Sequence, residues 1–183
     1  MKPRCSAATE TVIDVYVQAS IELLSAYGLS TRLRRQQEEP NAKRPSYVSV
    51  LGATGEGIRL SSTINAGADL LGRLHPAGAQ RAAQRDLEDW CRELNNQLVG
   101  RVKNKLLRLG CEVTAGLPVL ITGSGIDTIV APEQECRQYF FAGEHGSLAL
   151  TLALVLAPDL ELKDAPADDD DEAIRLEGEH AIF

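Results

Sequence analysis

The chain has 183 residues, of which 44% are hydrophobic, 4% aromatic and 25% charged, enough for one ordinary globular domain with a real core and too few for two. No apolar run approaches the ~20 residues that cross a bilayer, and the opening MKPRCSAATETVID lacks the apolar stretch of a signal peptide, so a cytoplasmic protein with no membrane contact is expected. The net charge of -7 is uneven: residues 159–183 hold ten acidic and two basic groups, whereas residues 1–158 sum to +1. A near-neutral body without a basic face gives no reason to expect nucleic-acid binding.

Ser6 or Thr9 is placed to cap a first helix, in which Val12, Val15, Ala19, Leu23 and Ala26 recur every three or four residues before Gly28 stops it. The run TRLRRQQEEPNAKRP at 31–45 is basic, rich in charge and interrupted by Pro40 and Pro45, which predicts a solvated connector. Tyr47 to Leu51 and Ile58 to Ile64 are β-prone and flank a glycine-rich stretch, Gly52 to Gly57, expected as a hairpin loop. A phosphate-binding loop is the alternative there, but the closing Lys-Ser/Thr is missing. Asn65 is expected to cap a short helix through Leu74, ended by Pro76 and Gly78.

The clearest periodicity runs from Gln80 to Leu109, where Leu87, Cys91, Leu94, Leu98, Val102, Leu106 and Leu109 predict a long amphipathic helix closed by Gly110. Cys111 to Ala115, Pro118 to Thr122 and Ile126 to Ala131 then read as strands. A hairpin of Tyr139 to Phe141 and Leu148 to Leu156 follows, turning at Gly143 to Gly146, its second strand apolar on both sides. The expected fold class is α+β, a mostly antiparallel sheet packed against two long helices. Residues 1–158 form the domain, and the acidic tail 159–183, with Asp168 to Glu172 unbroken, is expected to stay unfolded.

Cys5, Cys91, Cys111 and Cys136 lie far apart without a CxxC pair, and His75, His145 and His180 are scattered, so no metal site is expected and the thiols should be reduced and mostly buried. His145 and Ser124 have neither a partnered Asp nor a nucleophile elbow, and read as turn residues.

A stripe opposite the apolar face of the long helix is more informative. At ~100° per residue, Asp89, Glu93, Asn96, Gly100 and Lys103 align on one outward face. Every amphipathic helix needs a polar back, and spacing alone favours that plain reading. Gly100 stands against it, because a mid-helix glycine costs about 0.5–1 kcal/mol relative to alanine and a closely approaching partner would account for that cost. Asn95 falls about 100° from Asn96, towards the buried side, and should make a core hydrogen bond. Trp90 also lies off the stripe, better suited to packing under a loop than to a binding hot spot.

Asp89-x3-Glu93-x2-Asn96, with Gly100 a turn later and Pro118 after the helix, resembles the signature of the CheC, CheX and FliY phosphatases of bacterial chemotaxis. The segments YVSVLGATGEGIRLSST, DLEDWCRELNNQLVGRVKNKLLRLG and LPVLITGSG are similar to that family's strand, motif helix and following strand, and the resemblance spans residues 8–157. The first helix holds no second copy, because Asp14-x3-Gln18-x2-Ile21 lacks both Glu and Asn, which points to the CheX-like branch. Two departures stand out: Pro118 comes one residue early, and Gln97 replaces the apolar residue usual after the Asn.

The resemblance implies a CheC-like fold and a phosphatase acting on the aspartyl phosphate of a CheY-like receiver domain. The chain would need no cofactor of its own, since Mg2+ would sit in the receiver. Catalytic roles would fall to Asn96, orienting the attacking water, and Glu93, pairing with the receiver's active-site lysine; Asp89, Gly100 and Lys103 would border the contact. It also implies a homodimer joined through its sheets, which the apolar strand Leu148 to Leu156 would otherwise leave bare. A different class of function is a receiver-binding or structural module of the same fold, as in flagellar switch proteins, that hydrolyses nothing. A third is a dimeric adaptor working through its acidic tail.

Overall fold

The computed structural model describes residues 6–29, 33–34, 46–76, 78, 83–124, 126, 134–143 and 146–163. Among these, three helices and seven strands follow in the order α1 (Ala7–Ala26), β1 (Leu33–Arg34), β2 (Ser46–Gly55), β3 (Ile58–Gly67), α2 (Ala68–Leu74), α3 (Gln84–Arg108), β4 (Val113–Ala115), β5 (Val119–Gly123), β6 (Glu135–Gly143) and β7 (Gly146–Leu156). The strands form one sheet in which every pairing is antiparallel, in the order β1-β6-β7-β3-β2, with β4 and β5 lying end to end along the far side of β2. The expected α+β class, an antiparallel sheet against two long helices, is the one observed.

Helix α1 begins where the Ser6 side chain accepts the Thr9 N–H at 3.2 Å, supplying one of the hydrogen bonds a first turn cannot make for itself. It ends at Gly28 as α3 ends at Gly110, with φ of 75° and 76°. At Gly110 the left-handed turn lets Cys111 N–H reach back to the Leu106 carbonyl at 2.9 Å, closing the helix between two residues whose side chains are both buried. Both helices lie on the same face of the sheet. Val12, Tyr16, Ala19 and Leu23 from α1 and Cys91, Leu94, Leu98, Val102 and Leu106 from α3 are buried with Leu51, Ile64, Leu148, Leu150 and Leu152 of the strands in a single core. Each such aliphatic side chain removed from water contributes about 1.5–3 kcal/mol.

The structure alters several local expectations. Gly52 to Gly55 are strand rather than loop, so the hairpin turns on Glu56 and Gly57 alone. That part of β2 is hydrogen-bonded on both sides, to β3 and β4, and the missing side chain at Gly55 is what admits β4: a Cβ there would meet the Glu112 carbonyl at 2.1 Å. Asn65 caps nothing. It sits within β3, paired to Val48 and Ala149, and α2 starts after Gly67 without a side-chain cap. The ladders on both sides of β3 carry it past the point where composition suggested a break.

In the connector 31–45, Leu33 and Arg34 pair with Phe141 and Phe140, so these two residues extend the sheet; the rest of that run is outside the described residues. Ile126 is described and is not strand, while residues 127–131 of the strand expected there are not described. Leu148 to Leu156 belongs to an interior strand, between β3 and β6, so no bare sheet edge follows from its composition. Of the acidic segment, residues 159–163 lie on the domain: Leu160 and Leu162 pack against the core and Lys163 N–H donates to the Leu109 carbonyl at 2.9 Å. Residues 164–183, on which the expectation of an unfolded tail rests, are outside the described residues.

Candidate functional site

The outward stripe of α3 is formed as its spacing predicts. Asp89, Glu93 and Asn96 are exposed, and Gly100 and Lys103 are partly so. The five residues come together because α3 buries Leu87, Cys91, Leu94, Leu98, Val102 and Leu106 on its opposite side, which fixes the rotation of the helix on the sheet. Asp89 forms an exposed pair with Arg92, Oδ1 to Nη1 at 2.6 Å, a contact contributing about 0–1 kcal/mol. The Asn96 carboxamide makes no hydrogen bond within the described residues and is free to engage a partner. A Cβ added to Gly100 would meet nothing within 4 Å, so the glycine leaves a shallow place on the helix surface that no described residue fills.

The neighbouring asparagine has the opposite fate. Asn95 is 0% exposed. Its amide nitrogen donates to the Ser49 and Ser62 carbonyls at 3.0 and 3.1 Å, and its carbonyl accepts from the Ser62 hydroxyl at 2.8 Å. With the Ser62 proton committed there, the Tyr16 hydroxyl donates to Ser62 Oγ at 2.9 Å. The core hydrogen bond expected of Asn95 is therefore a network joining α3, α1, β2 and β3. Asn96 is held at the surface by the helix turn that this network anchors.

Trp90 packs edge-on against Tyr27 at the end of α1, with ring centroids 5.2 Å apart at 85°, and against His75 after α2 at 5.5 Å and 73°. It is a buried wedge between three helices rather than an exposed anchor. The Tyr27 hydroxyl donates to Gln97 Oε1 at 2.8 Å, and Gln97 Nε2 donates to Glu93 Oε1 at 2.9 Å. Gln97, one of the two departures from the family signature, thus contacts the Glu93 carboxylate directly. Sequence reasoning missed Tyr27 altogether, since it lies 70 positions from Gln97 and outside the helix whose periodicity was legible.

Burial, opposed in small part by a backbone hydrogen bond and by Arg92, pushes the Cys91 thiol up to about 12, so it stays protonated at neutral pH. Burial likewise raises Cys111 and Cys136. Ser124 is exposed in a bend, and His145, Cys5 and His180 lie outside the described residues. No group of three or more His, Cys, Asp or Glu side chains able to hold a metal occurs among the described residues, and no described helix is long and apolar enough to cross a membrane.

An antiparallel sheet covered on one face by α1 and α3 is the CheC-like fold seen in solved chemotaxis proteins. A CheC-like superfamily protein from Shewanella sp. PV-4 superimposes with a TM-score of 0.67 at 15% identity, covering 78% of this chain and 96% of its own. The CheX of a CheX–CheY–BeF3–Mg2+ complex from Borrelia burgdorferi does so with a TM-score of 0.61 at 13% identity, covering 79% and 97%. A structure of a FliM–SpeE complex from H. pylori matches with a TM-score of 0.53 at 10% identity, covering 83% and 90%. At these identities the likeness is one of fold. No protein-family model and no curated protein sequence matches the chain.

Proposed function

We propose that the chain binds a phosphorylated CheY-like receiver domain through the outward face of α3 and hydrolyses the receiver's aspartyl phosphate. The observation that carries this reading is the presentation of a carboxylate and a carboxamide one turn apart, Glu93 and Asn96, both exposed on a helix whose rotation is fixed by its buried face. The CheX captured with CheY has the same fold, which supports a receiver as the partner.

The chemistry suits these residue types. An acyl phosphate is already activated, so a catalyst has chiefly to place a water in line with phosphorus and tolerate charge on the equatorial oxygens. A carboxamide donates to and accepts from that water without adding negative charge beside the phosphoryl group. Asn96 performs this task, while Glu93 pairs with the receiver's active-site lysine and brings the helix into register. Mg2+ is held by the receiver, and the chain supplies no cofactor. Asp89 and Lys103 border the contact, and Gly100 lets the receiver approach the helix backbone.

The likeness to FliM favours a second reading, a receiver-binding or structural module without hydrolysis. Phosphate release from a phosphorylated receiver, with and without the protein, separates the two. Asn96→Ala is expected to fold, to bind the phosphorylated receiver as the parent does, and to lose on the order of 10²-fold in turnover, the scale of misplacing a reacting group. Wild-type turnover in this variant removes the mechanism, and absence of release by the parent protein selects the non-catalytic module.

A further inference from the structure

We infer that Gln97 and Tyr27 are positioning residues that hold the Glu93 carboxylate ready for the receiver. This rests on the docking role proposed for Glu93. The line runs inward from the surface: Gln97 Nε2 donates to Glu93 Oε1 at 2.9 Å, Gln97 Oε1 accepts from the Tyr27 hydroxyl at 2.8 Å, and the Tyr27 ring is set edge-on against buried Trp90, which His75 also contacts edge-on. The direction of the line is determined by chemistry. A carboxylate only accepts, so the amide NH2 of Gln97 must face Glu93, and the carbonyl left over can take the phenolic proton. Turning the amide round would set two oxygens against each other at the carboxylate.

Each step loses freedom inward. Glu93 is exposed, Gln97 and Tyr27 are half-buried, and Trp90 is buried. An exposed glutamate samples many rotamers, and a partner that needs one of them must restrict it on binding. Gln97 stands four residues after Glu93, on the flank of the stripe facing the end of α1, so its side chain reaches Glu93 without covering Asn96. Tyr27 terminates α1 just before Gly28, and its place is therefore set by the helix ending itself. An apolar residue at position 97 would pack against Tyr27 and leave Glu93 unrestrained.

The test has one arm on the free protein and one on the complex. In the free protein the Gln97 side-chain amide resonances are followed by NMR; they should move in both Tyr27→Phe and Glu93→Gln. An amide that responds to neither variant overturns the relay whatever Glu93 does. In the complex, binding of the cell's CheY-like receivers, activated with beryllofluoride and Mg2+, is measured for the parent, Gln97→Leu, Glu93→Ala and the double variant. Gln97→Leu should weaken binding about three- to tenfold, the scale of one immobilised side chain, with turnover at saturating receiver changed less than twofold. It should have no further effect once Glu93 is alanine, and Tyr27→Phe should show a smaller effect of the same pattern. An equal loss from Gln97→Leu in both backgrounds makes its role merely structural and overturns the inference. Unchanged binding by Glu93→Ala instead overturns the docking role on which it stands, and the two failures are thereby told apart.

Discussion

Asn95 and Asn96 differ by one residue and by one rotation of ~100°, and that rotation separates a structural role from a chemical one. Asn95 is enclosed with all its hydrogen bonds met by Ser49 and Ser62. Replacing it with leucine, close in size, leaves the Ser62 hydroxyl and two carbonyls without this partner inside the core, at a cost of roughly 2–4 kcal/mol in stability. Urea unfolding of Asn95→Leu should show that loss as a lowered midpoint, while phosphate release per folded molecule remains. A change below about 0.5 kcal/mol would mean that the network contributes no more than an ordinary surface contact. At this scale the helix period was enough to tell the two asparagines apart. The partners of Asn95 were not legible, because they stand 46 and 33 positions earlier and only the sheet brings them under α3. The same holds for Tyr27 and Gln97.

Helix α3 does two opposed things with one sequence, packing an apolar face and offering a polar one, and Gly100 is where they conflict. Its added Cβ would meet nothing within 4 Å, so the described residues give no steric reason for a glycine in mid-helix. Gly100→Ala should therefore raise stability by about 0.5–1 kcal/mol, seen as a higher thermal midpoint. If a receiver approaches the backbone there, the same variant weakens receiver binding. Higher stability with unchanged binding would take Gly100 out of the contact. The start of α1 and the C-terminal ends of α1 and α3 were legible because a serine cap and following glycines act through neighbours in the chain, whereas α3 begins at Gln84 rather than Gln80, after Ala83 and without a side-chain cap. Gly52, Gly55 and Asn65 misled for the converse reason. Their local preference is for turns and caps, but strands paired on both sides outweigh it.

On the scale of the whole molecule, the apolar strand that suggested association, β7, is interior, and the demand for a partner passes to the sheet's outer strands. Of these, β5 pairs among the described residues only with β2, and Val119 and Ile121 on it are 59% and 48% exposed, with Leu117 just before it at 88%. Three exposed apolar side chains at alternate positions along a strand that has no described neighbour on its outer side are a template for another strand. A second copy presents the same edge, and a two-fold pairing of β5 with its counterpart would satisfy both at once, which keeps the homodimer as our proposal. Light scattering at micromolar concentration should give twice the 19.8 kDa of one chain. Ile121→Lys, which sets a charge on that edge without disturbing the core, should return the mass to one chain with the fold retained. Charge supplies the discriminating condition. Each chain carries -7, so two copies repel, and this repulsion is screened as the Debye length shrinks to about 8 Å near physiological ionic strength. Pairing through an apolar edge should therefore strengthen as salt is raised from low values. A mass of one chain at every salt concentration would remove the dimer, and a dimer that dissociates with added salt would place its contacts on charged groups rather than on β5.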